Sequence, residues 1–154
     1  MKSHKGQSLF EVVVAVGVIA LIMVGVVTLS TRSIRNSRFA RDESLATKHA
    51  QELLEWLRNE RDNSWSGLTS KIAAPNWGLW CLPDLSWTSS VAGVCNDPGY
   101  WVNIPGTFYK REIQMDLPSP ERIDVTVWVY WWENELGQED YHEVRSDTSF
   151  TKWQ

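Results

Sequence analysis

GQSLFEVVVAVGVIALIMVGVVTL, residues 6–29, decides how the rest of the chain is read. From Val12 to Leu29 there is no charge and one weakly polar residue, Thr28. Eighteen such residues make about 27 Å of helix at a rise of ~1.5 Å each. A bilayer core takes about 20 apolar residues, so the run is long enough to span once Leu9 and Phe10 are added. Lys2 and Lys5 precede it, and one residue, Glu11, breaks its apolar head. A carboxylate near the start of a spanning helix is costly unless it meets headgroups, water or a counter-charge. Such a residue therefore reads either as interfacial or as functional.

The neighbours favour the functional reading. A short basic leader ends in Gly6, then come Gln7, Ser8, Leu9, Phe10, Glu11 and the unbroken apolar helix. This resembles the N-terminal signal of type IV pilins and pseudopilins, in which glycine, glutamate and apolar run fall at fixed spacing. The resemblance implies cleavage by a prepilin peptidase between Gly6 and Gln7, and N-methylation of Gln7, which stands where the family usually has phenylalanine. It implies that Glu11 acts in filament assembly. Cutting frees an α-amino group at Gln7, and that cation can pair with Glu11 of a neighbouring subunit. In hydrocarbon such a pair would drive docking and set axial register. The leader is too short for an ordinary secretory peptide, and no A-x-A-like site follows the apolar run, so the run is read as retained.

Charge bias and resemblance point to opposite orientations. Arg32, Arg35, Arg38 and Arg41 follow the span, and counted alone they favour a cytoplasmic location for that end. The resemblance implies a cytoplasmic N-terminus, an exported C-terminal domain, storage in the inner membrane by a single pass, and later residence in an extracytoplasmic filament. We follow the resemblance. The arginine row itself reads as a slanting stripe toward headgroups or solvent, or toward acidic groups on adjacent subunits.

Beyond Leu29 nothing stops the helix, because no proline occurs before Pro75. Phe39, Ala46, Ala50, Leu53 and Leu57 fall on one face at helical spacing. The spacing predicts a single helix to about Arg61, its second half burying that stripe against a domain, with a stop at residues 63–67. Residues 64–107 are irregular, rich in glycine and proline, yet carry Trp65, Trp77, Trp80, Trp87 and Trp101. So many tryptophans argue against disorder, so the segment reads as a folded connection with a short strand around residues 100–104. It holds both cysteines, Cys81 and Cys95. In an exported domain an isolated pair suggests a disulfide, whereas in the cytosol it would be two free thiols.

The C-terminal third has the period of strands. Residues 108–115 are a first candidate and residues 122–132 the strongest. There Val125, Val127, Val129 and Trp131 alternate with Asp124, Thr126, Trp128, Tyr130 and Trp132. A turn at residues 133–139 around Gly137 returns the chain through residues 141–147, and residues 149–153 add a short edge. The valine face is expected on the helix stripe. The opposite aromatic face, Trp128, Tyr130 and Trp132, is expected under the 64–107 segment, since a bare strip of that size invites aggregation. The fold class is therefore α+β: a long N-terminal helix, membrane-spanning in its first half, packed on a small antiparallel sheet. The domains are a leader (1–6), a transmembrane or filament-core helix (7–29), its exposed amphipathic half (30–62), and a tryptophan-rich loop region with the sheet (63–154). The order also resembles the type IV pilus protein V and type II secretion pseudopilin I groups. In those, a helix ending in an E-x-L-R-like run precedes a basic strand and a V-x-V-x-W strand. The counterparts are Glu55-Trp56-Leu57-Arg58, Tyr109-Lys110-Arg111 and Val125 to Trp132.

No catalytic constellation stands out. His4, His49 and His142 are scattered, with no H-E-x-x-H, no metal set, P-loop, nucleophile elbow or dinucleotide fingerprint. A net charge of −4 gives no basic field for direct nucleic-acid binding. The expectation is a non-enzyme without cofactor, whose partners are the prepilin peptidase, other pilin or pseudopilin subunits and the membrane. Its function is then that of a minor pilin or pseudopilin of a pilus or secretion filament. The alternative is a single-pass anchored tryptophan-rich domain that binds carbohydrate or protein and never polymerises.

Overall fold

The structure is a computed structural model and describes residues 9–72, 77–95, 102–135 and 138–152. It is an α+β protein with one long N-terminal helix and a five-stranded antiparallel sheet. Helix α1 spans Leu9–Asn63. The chain divides into two compact units, Met1–Arg41 and Asp42–Gln154, so the break falls inside α1.

In the second unit α1 buries Ala46, Ala50, Leu53 and Leu57, each with no exposed surface. These positions are four, three and four residues apart, one face of a 3.6-residue repeat. Phe39 of the expected stripe lies in the first unit and is exposed. The helix does not give way to a plain loop. Ser64 caps a short second helix, α2 (Trp65–Thr69), accepting from the Gly67 N–H at 3.0 Å. An N-cap hydroxyl supplies one of the acceptors that a helix start lacks, so α1 stops at Asn63, within the expected 63–67 stop, and a new helix starts directly after it.

The strands are β1 (Trp77–Cys81), β2 (Val91–Ala92), β3 (Lys110–Ser119), β4 (Arg122–Glu135) and β5 (Gln138–Thr151), in the order β2-β1-β3-β4-β5. Alternation on β4 places Ile123, Val125, Val127, Val129 and Trp131 on the face toward the core, all at most 2% exposed. Ile113 and Met115 of β3 and Phe150 of β5 join them against Leu53 and Leu57. The register shifts between Asp116 and Ser119, where Pro118 has no N–H to give to the ladder.

Several boundaries differ from the sequence reading. The segment 64–107 contributes two strands, β1 and β2, but neither lies at residues 100–104. Residues 102–104 are not strand, and 100 and 101 lie outside the described residues. The first C-terminal strand begins at Lys110 and reaches Ser119. The last two expected pieces are one strand, and the β4–β5 ladder closes to Glu135 opposite Gln138 rather than opening at residue 133. A turn read from composition alone is too long when polar residues near it can continue an exposed ladder.

Strand β1 holds its place through a close backbone approach at Gly78. A Cβ there would lie 2.8 Å from the Lys71 carbonyl oxygen, and the Trp80 indole donates to that same oxygen at 2.9 Å. Gly78→Ala is expected to destabilise the fold by about 1–3 kcal/mol, since a backbone atom cannot swing aside as a side chain does. Urea unfolding followed by tryptophan fluorescence measures this, and an unchanged midpoint would show that the 71–78 crossing is loose.

Candidate functional site

The first unit is a helix whose apolar surface is exposed among the described residues. None of its apolar stretch is buried among the described residues. Leu21, Leu29 and Val24 are each at least 66% exposed. Its two threonine hydroxyls are turned inward: Thr28 donates to the Val24 carbonyl at 2.8 Å and Thr31 to the Val27 carbonyl at 2.9 Å. This i−4 bonding removes the donors that hydrocarbon would otherwise leave unsatisfied. The helix is therefore long and apolar enough to cross a membrane. Glu11 sits in its first turn and is exposed. Gly6 and Gln7, the expected processing pair, lie outside the described residues.

In the second unit the residues with chemistry collect on β3 and its neighbours. Alternation along Lys110-Arg111-Glu112-Ile113-Gln114-Met115 sends Arg111, Ile113 and Met115 inward and Lys110, Glu112 and Gln114 to the outer face. Arg111 is 2% exposed. Its Nε donates to the Leu82 carbonyl at 3.0 Å, one terminal nitrogen to Pro83 at 3.2 Å and the other to His49 at 3.2 Å. A planar guanidinium can reach three carbonyls from two segments, which an ammonium cannot do with the same rigidity. Burial pushes its pKa down to about 10, against the charges of Glu52 and Asp84, so it stays cationic at neutral pH.

The outer face carries Trp128, Tyr130 and Trp132 of β4. Opposite them in register lie Arg145, Glu143 and Tyr141 of β5, and on the other side Glu112 and Lys110 of β3. Cys81 ends β1, and Cys95 is bonded to it (S–S 2.08 Å). Together they cover Tyr130, which is 5% exposed. Glu112 is 9% exposed. Its Oε1 accepts from the Tyr130 hydroxyl and from the Cys95 N–H at 2.5 Å. Burial, then the bond to Glu112, raises the Tyr130 pKa and keeps it a phenol that donates. Lys110 Nζ sits 4.6 Å from the centre of the Trp132 ring, and burial lowers its pKa against the pull of Glu112.

Trp128 and Trp132 remain half-buried beside an open cavity of about 530 Å³. The expected second core is thus incomplete. Most of the segment expected to lie across this face is used otherwise. Residues 77–81 extend the sheet as β1, and Trp80 and Trp87 pack with Trp56 around the helix side. Among the described residues the segment gives Cys81, Val91, Cys95 and Val102 to the cluster around Tyr130. Comparison with known proteins finds no matching family model, curated protein or solved structure. The chemistry of these two surfaces therefore carries the functional argument.

Sequence reading named Cys81, Cys95 and the aromatic strip, took Arg111 only as part of a basic strand, and gave Glu112 and Tyr141 no role. One signal was present for Arg111. Period two puts it on the same side as Ile113 and Met115, and a cation of that parity on a core strand must be buried and satisfied. Glu112 and Tyr141 had no such mark, because only the register of β3, β4 and β5 brings them to one place.

Proposed function

We propose that the chain is a minor pilin or pseudopilin, a membrane-stored subunit that enters a pilus or secretion filament after prepilin peptidase cuts between Gly6 and Gln7. The observation that carries this reading is the first unit: an apolar helix exposed among the described residues, with the carboxylate of Glu11 in its first turn. A simple anchor has no use for Glu11, whose burial in hydrocarbon is worth up to about 3 kcal/mol against insertion at mid-helix and less near an end. In a fibre the cost is offset, because the new α-amino group of Gln7 on a neighbouring subunit can meet it. The same helix then serves twice, as lipid-facing span and as fibre core. Satisfaction of Thr28 and Thr31 within the helix suits both surroundings. The second unit is the exported head, and the Cys81–Cys95 bond fits an oxidising compartment.

The test is the N-terminal residue and intact mass of the membrane-extracted protein, made with and without an active prepilin peptidase. The expected result is a start at Gln7 bearing one methyl group, seen only with the peptidase. A start at Met1 in its presence would leave an anchored, non-polymerising domain.

A further inference from the structure

The outer face of the sheet carries a cavity. The cavity there is lined by Trp128, Tyr130, Trp132 and Tyr141 together with Glu112, Gln114 and Glu143. Its volume of about 530 Å³ lies within the range of small-molecule sites. Trp128 and Trp132 stand four residues apart on one strand face, about 13 Å along β4 at ~3.3 Å per residue. Between them the floor is Tyr130 with the carboxylates of Glu112 and Glu143.

The polar groups around this floor are mostly acceptors. Among the described residues both hydrogen bonds of Glu112 fall on Oε1, which leaves Oε2 as an acceptor at the cavity. Glu143 Oε2 takes only the Tyr141 hydroxyl, at 2.5 Å, and Gln114 uses its Nε2 on Asp116 at 2.9 Å, which leaves its carbonyl oxygen as an acceptor. A ligand for this floor must be rich in donors and must not be an anion. Organic cations and polyhydroxylated molecules both meet that requirement. The rings decide between them. Tyr130, Trp132 and Tyr141 lie with centroids 5.3, 5.6 and 6.0 Å apart, and two of the three pairs are edge-on. At that spacing the rings touch one another, so no cage for an ammonium group opens among them. Cations of the chain itself already lie over the flanking indoles, Lys110 at 4.6 Å from Trp132 and Arg145 at 5.6 Å from Trp128.

We propose that this groove binds a neutral oligosaccharide. Its pyranose rings stack their C–H faces on the half-exposed Tyr141 ring and run along the edges of Trp132 and Trp128, beside Lys110 and Arg145. Their hydroxyls donate to Glu112 Oε2, Glu143 and the Gln114 carbonyl. The site is a feature of the head alone and stands whether or not the chain polymerises.

The experiment uses the full chain in a detergent without a sugar headgroup. Linear tetraoses of β-1,4-glucose, β-1,4-N-acetylglucosamine and α-1,4-glucose are titrated, and binding is read by intrinsic tryptophan fluorescence and by saturation transfer to sugar protons. At least one tetraose is expected to bind saturably. Trp128→Ala and Tyr141→Ala should each weaken it by tenfold or more, while Tyr141→Phe, which keeps the ring, should change it less than threefold. Thermal unfolding of each variant within a few degrees of the parent separates lost contacts from lost fold; Tyr141, half exposed, is the safer site. The proposal is overturned if none of the three binds, if both alanine variants bind as the parent does, or if a cationic peptide competes the sugar away at lower concentration. Peptidase cutting is measured separately, so failure here leaves the filament reading untouched, and the reverse holds as well.

Discussion

Replacing Arg111 with methionine is expected to destabilise the head by about 3 kcal/mol or more, a large part of the ~5–15 kcal/mol typical of a domain. The guanidinium ties β3 to both α1, through His49, and the 82–83 segment, through Leu82 and Pro83, by side-chain hydrogen bonds of its own. Charge-assisted bonds of this kind contribute about 1.5–3 kcal/mol each before the cost of burying the cation is subtracted. Methionine fills similar volume and removes that desolvation cost, but strands the Leu82 and Pro83 carbonyl oxygens, while that of His49 keeps its helical partner. For neutral partners left buried the penalty is about 1–3 kcal/mol each, which outweighs the gain. Arg111→Lys keeps the charge yet offers a point donor in place of a fork, so it should recover less than half of the loss. Equilibrium urea unfolding of the full chain in micelles, read by tryptophan fluorescence, gives both values. A loss below ~1 kcal/mol for methionine would mean that the carbonyls rehydrate freely and that the 82–83 segment lifts away at little cost.

Replacing Glu11 with leucine should have the second large effect, in the opposite sense for two measurements. Membrane extraction should be unchanged or more complete, because a charge has been removed from an apolar helix. Recovery in a sheared filament fraction, beside the parent subunit as internal standard, should fall on the order of a hundredfold. That factor is the loss of about 3 kcal/mol when one member of a buried ion pair is taken away and the other is left unpaired. A subunit that reaches filaments as well as the parent does would remove the Gln7–Glu11 pairing from the assembly mechanism. A subunit that fails to insert would mean that Glu11 serves the span itself, through headgroups or water.

The apolar run and the valine strand were legible for the same reason. Each has a strict period, and a strict period fixes which residues share a face before any partner is known. From Val12 to Leu29 no polar group interrupts the helix. From Ile123 to Trp131 every second residue is buried. Those two patterns, with Ala46, Ala50, Leu53 and Leu57, determine an α+β chain in which the later part of α1 covers one sheet face. The residues from 64 to 107 lack any period, and there sequence could not tell a strand that extends the sheet from a loop that crosses it. Backbone pairing of Trp77–Cys81 with Glu112–Asp116 settled that, and it left the aromatic face half open. The groove likewise exists only through register, since Trp132 meets Tyr141, Tyr130 meets Glu143, and Trp128 meets Glu112 across three strands. Local patterning decides which side of an element is wet. Which wet residues become neighbours depends on how far each strand slides along the next, and that is fixed by the packing of the whole sheet on the helix.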